Sequence, residues 1–331
     1  MHLVCLGIMR KLLTLWMRGP LTCRLSASIL QQISGRLIRL RSAIPCEFAR
    51  KPRTVYELDR WKATEFRQFL LYTGPVVLNG LLSEAVYKHF LLLSVSIYCC
   101  LHSDLCAHYS AFARDTLTKF VNLAGKIYGE SVLVYNVHSV IHIVDDVQQF
   151  GALSNISSFP FENHLRHMKK LIRRPGAPLQ QLMCHLSEID AHMSSAQHTL
   201  AKLVSKQHTN GPIPENMRNL PLTQYRECDV NGYKLKANSK DGAILLSSGE
   251  IAVVKNIICH ETKTYVVYQQ FMSRRSLHSY PFSSSDIDVC TVSNLSPRLR
   301  TVSRSQIESK SVCMPLKDGR EFAVIPYAHK E

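Results

Sequence analysis

The sequence predicts an α+β protein: a mainly α-helical region over residues 1–208, a linker over 209–224 and a small antiparallel β domain over 225–331. Three observations predict it. Through the first two-thirds of the chain, apolar residues recur at helical spacing. The segment 209–223 then carries Pro212, Pro214 and Pro221, which makes it the best linker candidate. Beyond Tyr225, short β-branched runs alternate with Gly, Ser, Asn and Asp turns, the spacing of a small barrel or sandwich.

The helices follow in order. Leu6, Met9, Leu13 and Trp16 mark a first helix, which Gly19-Pro20 ends. Ile29, Ile33, Leu37 and Leu40 share one face of a second helix over 28–40, where Ser28 and Gln31 resemble a capping box. Pro45 and Pro52 make 44–54 a loop. A helix over 61–72 is expected to break at Gly74-Pro75, and two more follow over 83–101 and 107–128. The second of these shows the stripe Ala113, Leu117, Phe120, Ala124 and Ile127. The run from Phe90 to Leu101 is apolar but too short to span a bilayer, so a buried helix is expected and no membrane partner. Another helix runs from about Val132 to Phe150. A basic amphipathic helix over 160–174 stops before Pro175, and a last one fits 179–204. In the β domain, 243–246, 251–254, 264–268 and 322–325 read as strands.

Composition narrows the function classes. With 46% apolar and 20% charged residues, the 331-residue chain is a globular protein rather than a disordered one. Its net charge of +15 favours a polyanionic partner, of which nucleic acid is the commonest. Eleven cysteines lie without any CxxC spacing, which argues against a zinc ribbon or a thioredoxin-type pair and for free thiols in a reducing compartment. The first 46 residues hold no Asp or Glu but do hold Arg10, Lys11, Arg18, Arg24, Arg36, Arg39 and Arg41, a composition shared with mitochondrial presequences.

Two segments carry candidate chemistry. In 135–147, His138, His142, Asp145 and Asp146 share a helical face, while Val137, Ile141 and Val144 occupy another. An HxxxH pair on one face suits a metal, yet Ser139 stands where the HExxH motif needs its glutamate. Polar residues that pack beside a site are the better reading of this stretch alone. In 157–174, Pro160 suits a helix start and Glu162 lies in the first turn, where the helix dipole favours a carboxylate. Phe161, Leu165, Met168 and Ile172 form the stripe expected to be buried. Arg166, Lys169, Lys170, Arg173 and Arg174 form an outer face able to follow a DNA backbone, though a merely solvated face reads the same.

Residues 135–174 resemble a segment of CACTA (En/Spm-like) DNA transposases, in which an HxxxH helix precedes a Pro-Phe-Glu motif and a Lys-rich helix. The matching positions are His138, His142, Pro160-Phe161-Glu162 and Lys169-Lys170. Residues 1–12 are similar to the family's stretch in which an Asp lies three residues before a His. That histidine corresponds to His2, and the Asp would fall before Met1. Residues 61–75 are similar to animal members in particular. The resemblance covers most of 1–205 in order, and it makes the acid-poor start two basic helices rather than a presequence.

The resemblance implies an RNase H-like core whose acids hold two Mg²⁺ ions for phosphoryl transfer on DNA. It implies Glu162 as the last catalytic, metal-holding acid, returning after a helical insertion at a helix start, with His2, His138 and His142 supporting the site. Glu65 is the alternative, which burial within the insertion explains equally well. The first two acids and the sheet that bears them would lie upstream. The chain is therefore expected to be the C-terminal half of a transposase, inactive alone, with DNA as partner and self-association possible in principle. A domesticated DNA- or protein-binding module, with an SH3-like tail as its interaction domain, is the second reading. The charge and the resemblance favour the nucleus, then the cytoplasm, over the mitochondrion.

Overall fold

The computed structural model describes residues 1–194, 203–261, 263–316 and 319–328, leaving aside the side chains of residues 163, 166 and 192–194. Its architecture is a helical N-terminal region followed by an antiparallel β domain.

The first helix opens with a π-helical turn, Leu3–Met9, that continues into α1 (Arg10–Arg18). The widened start buries Val4, Cys5, Ile8 and Met9, and α1 buries Leu12, Leu13 and Trp16, while Leu6, expected inside, is exposed. Helix α2 (Ala27–Leu40) begins one residue earlier than expected, because Ser26 rather than Ser28 caps it: its hydroxyl accepts from the Ile29 amide at 3.3 Å. Helix α3 (Ala63–Gln68) leads into a second π-turn, Phe69–Thr73, and then α4 (Gly74–Val77). The expected break at Gly74-Pro75 does not occur. The π-turn lets the Gly74 amide reach back to the Phe69 carbonyl, so Pro75 enters the helix at a first-turn position, where no N–H is needed.

Helices α5 (Glu84–Leu101) and α6 (Ser103–Tyr128) pack together at the centre of the region. Among the described residues, α5 is the one helix long and apolar enough to cross a membrane, and 72% of it is buried within the protein. The single helix expected over 132–150 is instead α7 (Tyr135–His138), a 3₁₀ turn (Ser139–His142) and α8 (Ile143–Phe150). Helices α9 (Phe159–Leu171) and α10 (Pro178–Ser194) follow, joined by a turn that Gln181 ties through the Arg173 and Arg174 amides. The helix expected to reach residue 204 gives way to strand β1 (Val204–His208), and 195–202 lie outside the described residues.

All the strand pairings are antiparallel. Strands β4 (Ala243–Leu246), β5 (Ile251–His260), β6 (Lys263–Ser276), β7 (Cys290–Leu295), β9 (Ile307–Pro315) and β10 (Phe322–Pro326) pair in the ring β5-β4-β9-β10-β7-β6-β5. Closure removes the edges an open sheet would expose. The fourteen-residue β6 makes closure possible, pairing with β5 along its first part and β7 along its last. Each ring strand sends a side chain inward: Leu245, Ile251, Phe271, Cys290, Cys313 and Val324 lie in one cluster. Strand β8 (Arg300–Ser303) flanks β6, while β2 (Thr223–Val230), with β1 and β3 (Tyr233–Lys236), extends from β5. The proline-bearing stretch before β2 is folded onto the barrel: Met217 packs on Ile258 and Val267, and the Asn256 amide donates to the Pro212 carbonyl.

The period-two alternation of β9 and β10 makes the barrel half of a larger core. Val312, Met314 and Ile325 face outward and join the helical core with Val289 and Tyr327. The Tyr98 hydroxyl donates to the Pro326 carbonyl, and the Ala328 amide donates to the Tyr72 hydroxyl. At the same seam the Lys310 ammonium, 1% exposed, donates to both Glu47 oxygens at 2.8 and 2.9 Å, to Asp241 at 3.1 Å and to the Lys234 carbonyl.

Candidate functional site

Phe159 organises the site. It is buried at the start of α9, its amide donating to the Ser157 hydroxyl, and two groups pack on its ring. The Arg67 guanidinium of α3 lies 4.7 Å from the ring centre, and the His2 ring meets it edge-on at 4.8 Å. Beside that contact, His2 Nε2 and Glu162 Oε1 are 3.0 Å apart. The first turn of the N-terminal helix and the first turn of α9 therefore meet through an imidazole and a carboxylate. Glu162 is the only acid in the first turn of α9, where unpaired amides favour negative charge. On the first turn of the same N-terminal helix, burial pushes the Cys5 thiol up to about 12, against an opposing pull from Arg67, so Cys5 is a packed thiol and no nucleophile.

The other candidate residues lie elsewhere. Glu65 is 3% exposed at the start of α3, where one oxygen accepts from the Lys62 amide at 2.9 Å. Its other oxygen is 2.9 Å from Arg53 Nε, a close but poorly aligned ion pair, and Arg50 lies 3.9 Å away. These contacts close a helix start and hold two arginines, which is a packing role. His138 and His142 are exposed, with ring centres 5.7 Å apart. His142 partners Asp145 at 3.3 Å, and Arg114 reaches the same carboxylate at 2.7 Å. The Arg114 hydrogen bond, then that of His142, holds Asp145 below the usual carboxylate range.

The basic face follows Glu162 along α9. Lys169, Lys170, Arg173 and Arg174 are all exposed, the two arginines just past the helix end; Arg166 lies on the helix, its side chain outside the described residues. The stripe expected to be buried is not. Phe161, Leu165 and Ile172 are exposed and Met168 half-buried, because α9 touches the body of the protein mainly through its first residue, Phe159. Nothing in the spacing of the sequence linked Arg67 to Phe159. The aromatic residues flanking Pro160 were the one local hint that the helix start is anchored.

Among the described residues, one group of three metal-ligand side chains converges: Cys46, Glu47 and Asp241. The Lys310 ammonium already neutralises that group, donating to both carboxylates. Burial works to raise the Asp241 carboxyl, but the Cys46 amide and Lys310 outweigh it and hold the group below its ordinary value. The cluster is a closed ion-pair network with no place for a metal. Glu162 is not part of it.

A family model described as a domain of unknown function, DUF8592, matches residues 207–327, which span the barrel and its flanking strands. No curated protein matches the chain, and no solved structure does.

Proposed function

We propose that this chain is a DNA-binding protein of transposase descent that grips the duplex backbone with α9 and does not cut it. The observation that supports this reading is the His2–Glu162 contact at 3.0 Å. The family resemblance assigns both positions to one site, and they come from opposite ends of the helical region. The run of cations along α9 then leads away from that contact, with Lys169, Lys170, Arg173 and Arg174 exposed as phosphate contacts require.

The donor set at Glu162 does not fit the two Mg²⁺ ions that the resemblance implies. Mg²⁺ favours oxygen ligands, and two-metal phosphoryl transfer needs several carboxylates converging on one site. The side chain beside Glu162 is an imidazole, and the second candidate acid, Glu65, is held by Arg53 and the Lys62 amide. Binding through α9 is therefore largely independent of base sequence and needs no metal.

The test is fluorescence anisotropy on a labelled duplex of random sequence at low salt. The wild-type chain is compared with a variant carrying Gln at Arg166, Lys169, Lys170, Arg173 and Arg174. The expected result is binding by the wild type and a loss of about tenfold or more in the variant. Equal affinity would show that the face is only solvated. Nicking of the same duplex in Mg²⁺ or Mn²⁺, abolished by Glu162→Gln, would overturn the non-catalytic half of the proposal.

A further inference from the structure

Apolar side chains run bare along both helices of the α9–α10 pair. Phe161 is 69% exposed and Leu165 56% on α9, Ile172 just past its end is 37% exposed, and Leu179 is 75% and Met183 68% on α10. Within each helix the exposed pair is spaced by four residues, one helical turn, the pattern of a packing stripe rather than of scattered surface residues. Together they leave on the order of 500 Å² of apolar surface uncovered, at the top of what monomers ordinarily carry.

We propose that the occupant of this face is a second copy of the same chain. Charge and area both point there. Helix α9 and the turn after it hold Lys169, Lys170, Arg173 and Arg174, whereas α10 holds Glu188 and Asp190 and no Lys or Arg. Packing α9 on the partner's α9 would set like charges face to face. Packing α9 on the partner's α10 sets opposite charges together, and a two-fold axis then makes that contact twice. Two such faces cover roughly 1,000 Å², the area at which specific interfaces begin. The contact is thus reciprocal and modest in strength. The apolar stripe forms its centre, while the charge pairing draws on the same α9 cations that the DNA reading assigns to phosphates, so self-association is measured without DNA.

Sedimentation velocity on the full chain across the micromolar range tests it. The wild type is expected to be a concentration-dependent dimer, and Leu165→Asp or Met183→Asp, both at exposed positions, is expected to weaken it about tenfold or more. Circular dichroism of these variants should match the wild type. Lys169→Glu with Lys170→Glu should weaken self-association, and Glu188→Lys should do the same. An equimolar mixture of the two charge variants should recover dimer, which a merely structural role for these residues does not predict. A wild type that stays monomeric overturns the proposal, as does a dimer indifferent to Leu165→Asp and Met183→Asp. Monomeric protein that instead binds phosphatidylserine–phosphatidylcholine vesicles through Phe161 and Leu165 would likewise overturn it, in favour of an anionic membrane.

Discussion

His89 sits 1% exposed between α5 and α6, stacked on Phe120 at 4.2 Å, with Nε2 3.0 Å from the Phe120 carbonyl. That carbonyl can only accept, so Nε2 carries the proton and Nδ1 accepts from the Tyr128 hydroxyl at 3.4 Å. The same hydroxyl accepts from Trp16 Nε1. Burial, only partly opposed by the carbonyl, lowers His89 to about 4, and burial lowers His278 to about 4 as well. Both are neutral in the fold, while the unfolded chain takes up protons as pH falls through 6.5, their ordinary value. Their contribution is therefore complete above pH 6.5 and is lost progressively as pH falls toward 4, on the order of a few kcal/mol in all. Thermal melts from pH 7.5 down to 4.5 should show falling stability, and His89→Gln should flatten part of that slope. An unchanged slope would contradict the assignment. The Lys310 network predicts a second residue-scale effect. Lys310→Met leaves Glu47 and Asp241 without their buried partner and should cost roughly 3–5 kcal/mol in urea unfolding. Neither group stood out in the sequence, because a histidine on an apolar helix and a lysine in a β-branched strand look alike whether paired or free.

At the scale of elements, α5, α6 and the four strand runs named from the sequence are present, because long apolar stripes and β-branched runs bounded by turns leave little choice. The misreadings have local physical causes. Gly74-Pro75 resembles a helix stop, but the π-turn before it supplies the room that a proline needs. Gly74 is essential to that solution: a Cβ there would stand 2.5 Å from the Phe69 carbonyl oxygen and 2.7 Å from Phe90 Cζ. Gly74→Ala should destabilise the fold by about 1–3 kcal/mol, through overpacking rather than a positive-φ penalty, and urea unfolding measures it. No change would mean that the α4–α5 contact is loose. The stripe of α9 was legible as a stripe, yet spacing alone does not say whether its partner lies in the same copy. Its exposure is what separates α9 and α10 from the other long helices.

At the scale of the molecule, the order of a helical region before a β domain was legible and a barrel was one of the two forms expected for the tail, but the docking of the barrel on the helices was not legible. Val312, Met314 and Ile325 look like ordinary strand residues, and only the alternation of β9 and β10 against the helical core gives them their role. The candidate site divides in the same way. Glu162 and the basic face were read from 160–174, the His2 contact was expected only through the family resemblance, and the Arg67–Phe159 contact was not expected at all. The central claim is that this fold presents α9 to the DNA backbone, and a salt titration of duplex affinity tests it most directly. If the five α9 cations neutralise phosphates, log Kd should rise linearly with log salt, and replacing all five with Gln should flatten the slope by roughly 4 to 5. A wild-type affinity that barely responds to salt, or a slope the five substitutions leave unchanged, would contradict it.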